Sequence, residues 1–205
     1  MKKHLLLAVI LLSTNWLASA QNFRLQHFDT KNGLPSNTIR TIVSDSRGSI
    51  WIGTDAGLCR FDGREFKVFT KKDGISGNKI WAITEDKHRV LWIGTYDNGI
   101  STYDGKHFKP FHLNDTISKH IRCVGYLPSS DCVGFGTESG VITITNGKTE
   151  YHDPYYKNKD ENRLLVISVQ STDNSLIFHT YYGVPSFEFC PDSKTFSIVR
   201  GFERL

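Results

Sequence analysis

Residues 38–45, TIRTIVSD, alternate apolar and polar positions, the period-two signature of a half-buried β-strand. A turn, SRG, follows, and then SIWIGT (49–54), a short β-rich run with the character of a buried strand. Gly57 reopens the chain into LCRFD, and Asp62-Gly63 turns it into EFKVF (65–69). The stretch therefore predicts four short antiparallel strands joined by Gly and Asp turns. No 3.6-residue period occurs after residue 20, which excludes a helical solenoid.

The same pattern returns. Trp92 follows Trp51, and Gly74 follows Gly33, after 41 positions. Gly136 follows Gly94 after 42, where CVGFGTESGVITITNG keeps Gly-Thr and the later Gly but has lost the Trp. A worn fourth copy, SLIFHTYYGVPSFEF, keeps Thr180 and Gly183. Four strands in roughly 40 residues make the blade of a β-propeller. The expected fold class is all-β: a partial β-propeller of about four four-stranded blades, near residues 36–70, 77–112, 119–152 and 163–200. Residues 22–28 resemble the outer strands at 65–69 and 107–111 and so predict an orphan outer strand with no blade of its own. In such blades Trp51 and Trp92 serve packing between neighbours. Gly53 and Gly94 leave room for close backbone approach, and Gly57, Gly99 and Gly140 are expected at positive φ.

The first 20 residues have a different character. Lys2 and Lys3, an apolar run from Leu5 to Leu12 and then Ala18-Ser19-Ala20 form the order of a secretory signal peptide, with residues 21–205 as the exported part. Without Lys2 and Lys3 the formal charge falls from +4 to +2, so a nucleic-acid partner has no electrostatic footprint. In an exported chain the four cysteines, Cys59, Cys123, Cys132 and Cys190, are allowed to pair, and Cys123 and Cys132 fall on neighbouring predicted strands, facing the same side but diagonally offset. The alternative is that they are small core residues.

Residues 33–69, GLPSNTIRTIVSDSRGSIWIGTDAGLCRFDGREFKVF, resemble the two-component regulator propeller repeat, and residues 74–111 match it with Gly-Ile-Ser in place of Gly-Leu-Pro. Residues 115–200 match weakly, lacking the tryptophans. The resemblance implies the periplasmic sensor of a hybrid two-component regulator, in which propellers precede a membrane span, a histidine kinase and a receiver. Many such sensors detect oligosaccharides. It implies as partners an oligosaccharide, further propeller blades and a kinase part, with a homodimer in the complete sensor. The strand count does not close a ring, so the chain is expected to be the N-terminal piece of a longer sensor, periplasmic and anchored through its parent. A self-sufficient small propeller is the alternative.

Candidate chemistry is sparse. His27, His88, His107 and His112 show no zinc-ligand spacing, and no metal or cofactor is expected. Asp45, Asp86, Asp62 and Asp104 are explained by turns. No nucleophile elbow or phosphate-cradling loop occurs, so no catalytic residue is assigned and the chain is read as a non-enzyme. A binding role leaves one trace. In NTIRTI, NKIWAI and KHIRCV the residue after the shared Ile is Arg40, Trp81 and Arg122, with Val166 assigned to the fourth copy. If the first strand of each blade lines the channel, an indole could stack a sugar while guanidinium groups fork onto carboxylate or sulfate oxygens. The alternatives are variable channel residues without a ligand, a protein-interaction propeller, or a propeller lyase with His, Glu or Arg gathered at one channel mouth.

Overall fold

The computed structural model describes residues 25–113, 120–152, 165–181 and 186–199. The expected signal peptide, residues 1–20, lies outside them. Sixteen strands form four antiparallel four-stranded sheets, each a simple meander in chain order. Blade 1 holds β1 (Ile39–Ser44), β2 (Ile50–Thr54), β3 (Gly57–Phe61) and β4 (Phe66–Phe69). Blade 2 holds β5 (Ile80–Glu85), β6 (Leu91–Thr95), β7 (Gly99–Tyr103) and β8 (Phe108–Phe111). Blade 3 holds β9 (Ile121–Leu127), β10 (Cys132–Thr137), β11 (Val141–Thr145) and β12 (Lys148–His152). Blade 4 holds β13 (Val166–Ser171), β14 (Leu176–Thr180), β15 (Phe187–Cys190) and β16 (Thr195–Ile198). The first strands of successive blades, β1, β5, β9 and β13, pack side by side along one edge of the arc. The all-β propeller expectation is met.

The core lies between blades, in three layers. Trp51, Leu58 and Phe69 of blade 1 meet Ile80, Ile83, Leu91, Ile93, Tyr103 and Phe108 of blade 2. Ala82 and Ile100 meet Ile121, Val133 and Phe135, and Leu127, Cys132 and Val141 meet Val166, Leu176 and Phe178. Trp51 is 1% exposed, its ring 5.3 Å from Tyr103 in the next blade. It packs between blades as its repeat position predicts. The glycine of each Gly-Thr pair is where the next blade's inner strand approaches. A Cβ on Gly53 would sit 2.7 Å from the Ile80 carbonyl oxygen, and one on Gly136 2.5 Å from Val166 Cγ1. Gly57 and Gly99 have positive φ, 145° and 80°. Gly140 is not among the positive-φ residues; it is a close-approach position instead, where a Cβ would lie 2.6 Å from the His152 carbonyl oxygen.

The cysteines do not pair. All four thiols are free. In the β9–β10 register Cys123 stands opposite Gly136 and Cys132 opposite Leu127, four pairs apart. At about 3.4 Å per residue that is roughly 13 Å along the strands, far beyond disulfide reach.

The orphan strand expected over 22–28 begins outside the described residues, and residues 25–29 carry no strand pairing. Phe28 nevertheless packs on blade 1, 5.4 Å from Phe61 and 5.1 Å from Phe66 between ring centroids.

Candidate functional site

All four blades depart from regular pairing at the same place. Between the first and second strands the register skips one residue: Arg40, Trp81, Arg122 and, in blade 4, Ile167. An unpaired bulge residue re-aims its side chain, so one fixed backbone device presents arginine from blades 1 and 3, tryptophan from blade 2 and isoleucine from blade 4. The register also corrects the assignment in blade 4. Val166 pairs with Thr180 as Ile39 pairs with Thr54, so Val166 is the core position, 0% exposed, and Ile167 the presenting one, 45% exposed.

Each bulge residue has a companion across the rim, the residue directly after the Gly-Thr or His-Thr of the second strand. These are Asp55, Tyr96, Glu138 and Tyr181. Arg40 donates from Nε to Asp55 Oδ1 at 2.9 Å and from Nη2 to Oδ2 at 2.7 Å, a bidentate fork. Those bonds hold the Asp55 carboxyl below its ordinary range, with a smaller contribution from the indole N–H of Trp81. Trp81 Nε1 donates to Asp55 Oδ1 at 3.3 Å, across the blade 1–blade 2 boundary. The Tyr96 ring stacks on the indole at 4.3 Å, and its hydroxyl donates to Glu138 Oε1 of blade 3 at 2.7 Å. Arg122 Nη1 donates to the same oxygen at 3.2 Å, and His120 Nδ1 lies 3.6 Å from Glu138 Oε2.

The structure thus brings Arg40, Trp81 and Arg122 together, with the Cζ atoms of the two arginines 4.6 and 5.0 Å from the Trp81 ring centroid. It also changes what they can do. Both guanidinium groups already serve carboxylates of this chain, and the indole is crowded by two arginines and a tyrosine. The cluster is charge-balanced, with two arginines against Asp55 and Glu138. Arg122 Nε is shielded and has no hydrogen-bond partner, and Tyr181 is 62% exposed. Asp55, Tyr96 and Glu138 escaped the sequence reading, although one signal marked them: they vary directly after a repeated Gly-Thr. Among the described residues no cluster of His, Cys, Asp and Glu could hold a metal ion, and no helix is long and apolar enough to cross a membrane.

Four-stranded meanders packed face to face, with inner strands aligned, define a β-propeller arc. Residues 33–56 and 74–97 match the family described as Two component regulator propeller. A histidine kinase, P4, from Formosa agariphila is 36% identical over 52 residues, which is 25% of this chain and 4% of the kinase. The extracellular domain of the hybrid two component system BT3049 from B. thetaiotaomicron superposes with a TM-score of 0.71 at 19% identity, over 85% of this chain and 26% of that one. A catalytically inactive virginiamycin B lyase from Staphylococcus aureus superposes with a TM-score of 0.68 at 14% identity, over 90% and 62% of the two chains. The chain therefore spans 4% of the length of the kinase and 26% of that extracellular domain.

Proposed function

We propose that this chain is a ligand-sensing propeller segment of a two-component sensor, working on the extracytoplasmic side. In this reading it does no chemistry. Ligand binding favours one arrangement of blades, and the kinase part of the complete protein reads that arrangement. The family repeats and the likeness to the extracellular domain of a hybrid two component system support the reading. The observation that carries it is the rim: four equivalent bulges on a constant scaffold, carrying two arginines, a tryptophan and an isoleucine.

The ligand class proposed is an oligosaccharide. With Arg40 forked onto Asp55 and Arg122 bonded to Glu138, the rim favours hydroxyl-rich sugars over polyanions. Tyr181 offers an open aromatic face. Titration calorimetry of the complete sensor against neutral and acidic oligosaccharides tests this. Neutral-glycan binding weakened by Tyr181→Ala and Trp81→Ala is expected. Unchanged affinity in both folded variants, or binding confined to acidic glycans, overturns the assignment.

A second reading has one observation in its favour. His120, Glu138, Tyr96 and Arg122 gather at one rim from two blades, the kind of cluster a propeller lyase would use. Mass spectrometry of the bound glycan decides between them: an intact glycan leaves sensing, and an unsaturated cleavage product establishes elimination.

A further inference from the structure

Asn-Gly occurs three times in the chain, at Asn32, Asn98 and Asn146. Glycine has no side chain to shield its own nitrogen, and that nitrogen can close a five-membered ring onto the side-chain carbon of the asparagine before it. The fold places the three pairs in different settings. Asn32 Oδ1 accepts from the Asp29 N–H at 3.0 Å in a capping box, and the Gly33 N–H donates to the Thr30 carbonyl at 3.4 Å. Asn98 Nδ2 donates to the Ser76 carbonyl at 2.8 Å, and Gly99 is buried at the head of β7, in register with Thr95. Each of these two side chains gives up a hydrogen bond before its amide carbon can turn toward the next nitrogen.

Asn146 and Gly147 have no such hold. They are the two-residue turn of the β11–β12 hairpin, between Thr145 and Lys148, with left-handed φ of 51° and 74°. Both are exposed, and no atom lies within 4 Å of the place of a Gly147 Cβ. Among the described residues the Asn146 amide and the Gly147 N–H make no hydrogen bond. The aspartates that precede glycine are held like the first two asparagines. Asp62 accepts from the amides of Glu65 and Arg64, and Asp104 from those of His107 and Lys106; these bonds keep both carboxyls below their ordinary range and so in the unreactive ionised form. Asp73 Oδ2 accepts from the Thr70 N–H at 2.8 Å.

We infer that Asn146 is a site of spontaneous covalent modification, where deamidation proceeds ahead of the other two Asn-Gly pairs. The Gly147 nitrogen attacks Asn146 Cγ, the side-chain amide leaves as ammonia with the proton of the Gly147 N–H, and a cyclic imide remains. Water then opens one of the two C–N bonds of the ring, which yields aspartate or isoaspartate. One water is taken up and one ammonia lost, with no oxidant or reductant. Either product adds a negative charge to the turn. Isoaspartate also routes the main chain through Cβ, and so adds a backbone atom to a turn whose register allows two residues. β12 is the outermost strand of blade 3, bonded on one side only, and its Glu150 accepts from Lys194 of blade 4 at 3.4 Å. Isoaspartate at position 146 frays this hairpin from its turn and loosens that tie between blades.

The test incubates the full chain in mildly alkaline buffer and maps it by mass spectrometry with fragmentation that resolves isoaspartate. Asn146 should convert about tenfold faster than Asn32 or Asn98, the difference that giving up one hydrogen bond makes to a rate. Asn146→Gly, which keeps a residue suited to positive φ, should show no modification at this turn and should retain its amide protection through the incubation. Asn146→Asp carries the charge without the extra backbone atom, and should keep the hydrogen-exchange protection of residues 148–152 that the incubated native chain loses. Conversion of Asn32 or Asn98 as fast as Asn146 overturns the inference. So does an Asn146 that stays intact in the folded chain while the denatured chain converts there. Equal loss of protection in Asn146→Asp overturns the opening of the hairpin by isoaspartate.

Discussion

The indole N–H of Trp51 donates to Asp45 Oδ2 at 2.8 Å, and Trp92 repeats the bond to Asp86 at the same distance. The other oxygen of Asp45 accepts from the amides of Arg47 and Ser49, at 3.0 and 2.8 Å, so one carboxylate shapes the turn and pins the tryptophan that fills the blade junction. Asp45→Ala should therefore cost about 2–4 kcal/mol, because three donors to a charged acceptor are lost together and the indole N–H is left unpaired in a buried setting. Urea denaturation of Asp45→Ala, Trp51→Phe and the double variant checks this. A coupling energy near zero would show that the turn and the tryptophan act separately.

The glycines of the Gly-Thr pairs answer to the next blade as well as to their own. A Cβ at Gly53 would collide with Thr41 Cγ2 at 2.6 Å and with the Ile80 carbonyl oxygen, a backbone atom that cannot turn aside. Gly53→Ala should destabilise by about 1–3 kcal/mol through overpacking. Gly48→Ala, where no atom lies within 4 Å, tests backbone strain alone, since φ there is 85°. Thermal unfolding of the two variants separates crowding from conformation. An equal loss in both would mean that blade approach is not what fixes Gly53 as glycine.

The blades were legible because their signals are local. Alternation along β1, the Asp-x-x-Gly turns and the 41-residue spacing each need only neighbours in sequence. The rim was half legible. Arg40, Trp81 and Arg122 could be aligned by the repeat, but the bulge that aims them depends on which residue pairs with Thr54, Thr95 and Thr137, a matter of register across strands. That is why Val166 stood in for Ile167. Asp55 and Glu138, which neutralise the arginines, belong to a second aligned position, and the bonds from Trp81 to Asp55 and from Tyr96 to Glu138 run between blades. Pairing of Cys123 with Cys132 looked open for the same reason: a diagonal offset between neighbouring strands was predictable, and its size was not.

All four thiols should titrate with Ellman's reagent in denaturant without added reductant. In the folded chain Cys59, Cys123 and Cys132 should react slowly. Cys59 and Cys132 are fully buried, and desolvation pushes Cys59 up to about 11 and Cys123 up to about 12, which suppresses the reactive thiolate. Fewer than four equivalents in denaturant would mean that a disulfide forms after all.

His152 sets an acid sensitivity at the junction of blades 3 and 4. Its Nε2 lies 2.9 Å from Thr143 Oγ1, and its ring packs 4.8 Å from Phe196 and 5.3 Å from Phe189. Burial lowers its pKa below the ordinary 6.5, opposed only in part by the Glu150 carboxylate, which Lys148 and Lys194 already occupy. The unfolded chain therefore takes up this proton at a higher pH than the folded chain. Stability from this group is complete above about 6.5 and declines as pH falls below that value toward the lower folded-state pKa. Denaturation midpoints measured from pH 7.5 down to 5 should fall for the native chain and fall less steeply for His152→Gln, which cannot take up the proton. Parallel profiles for the two proteins would place the acid sensitivity elsewhere than at this junction.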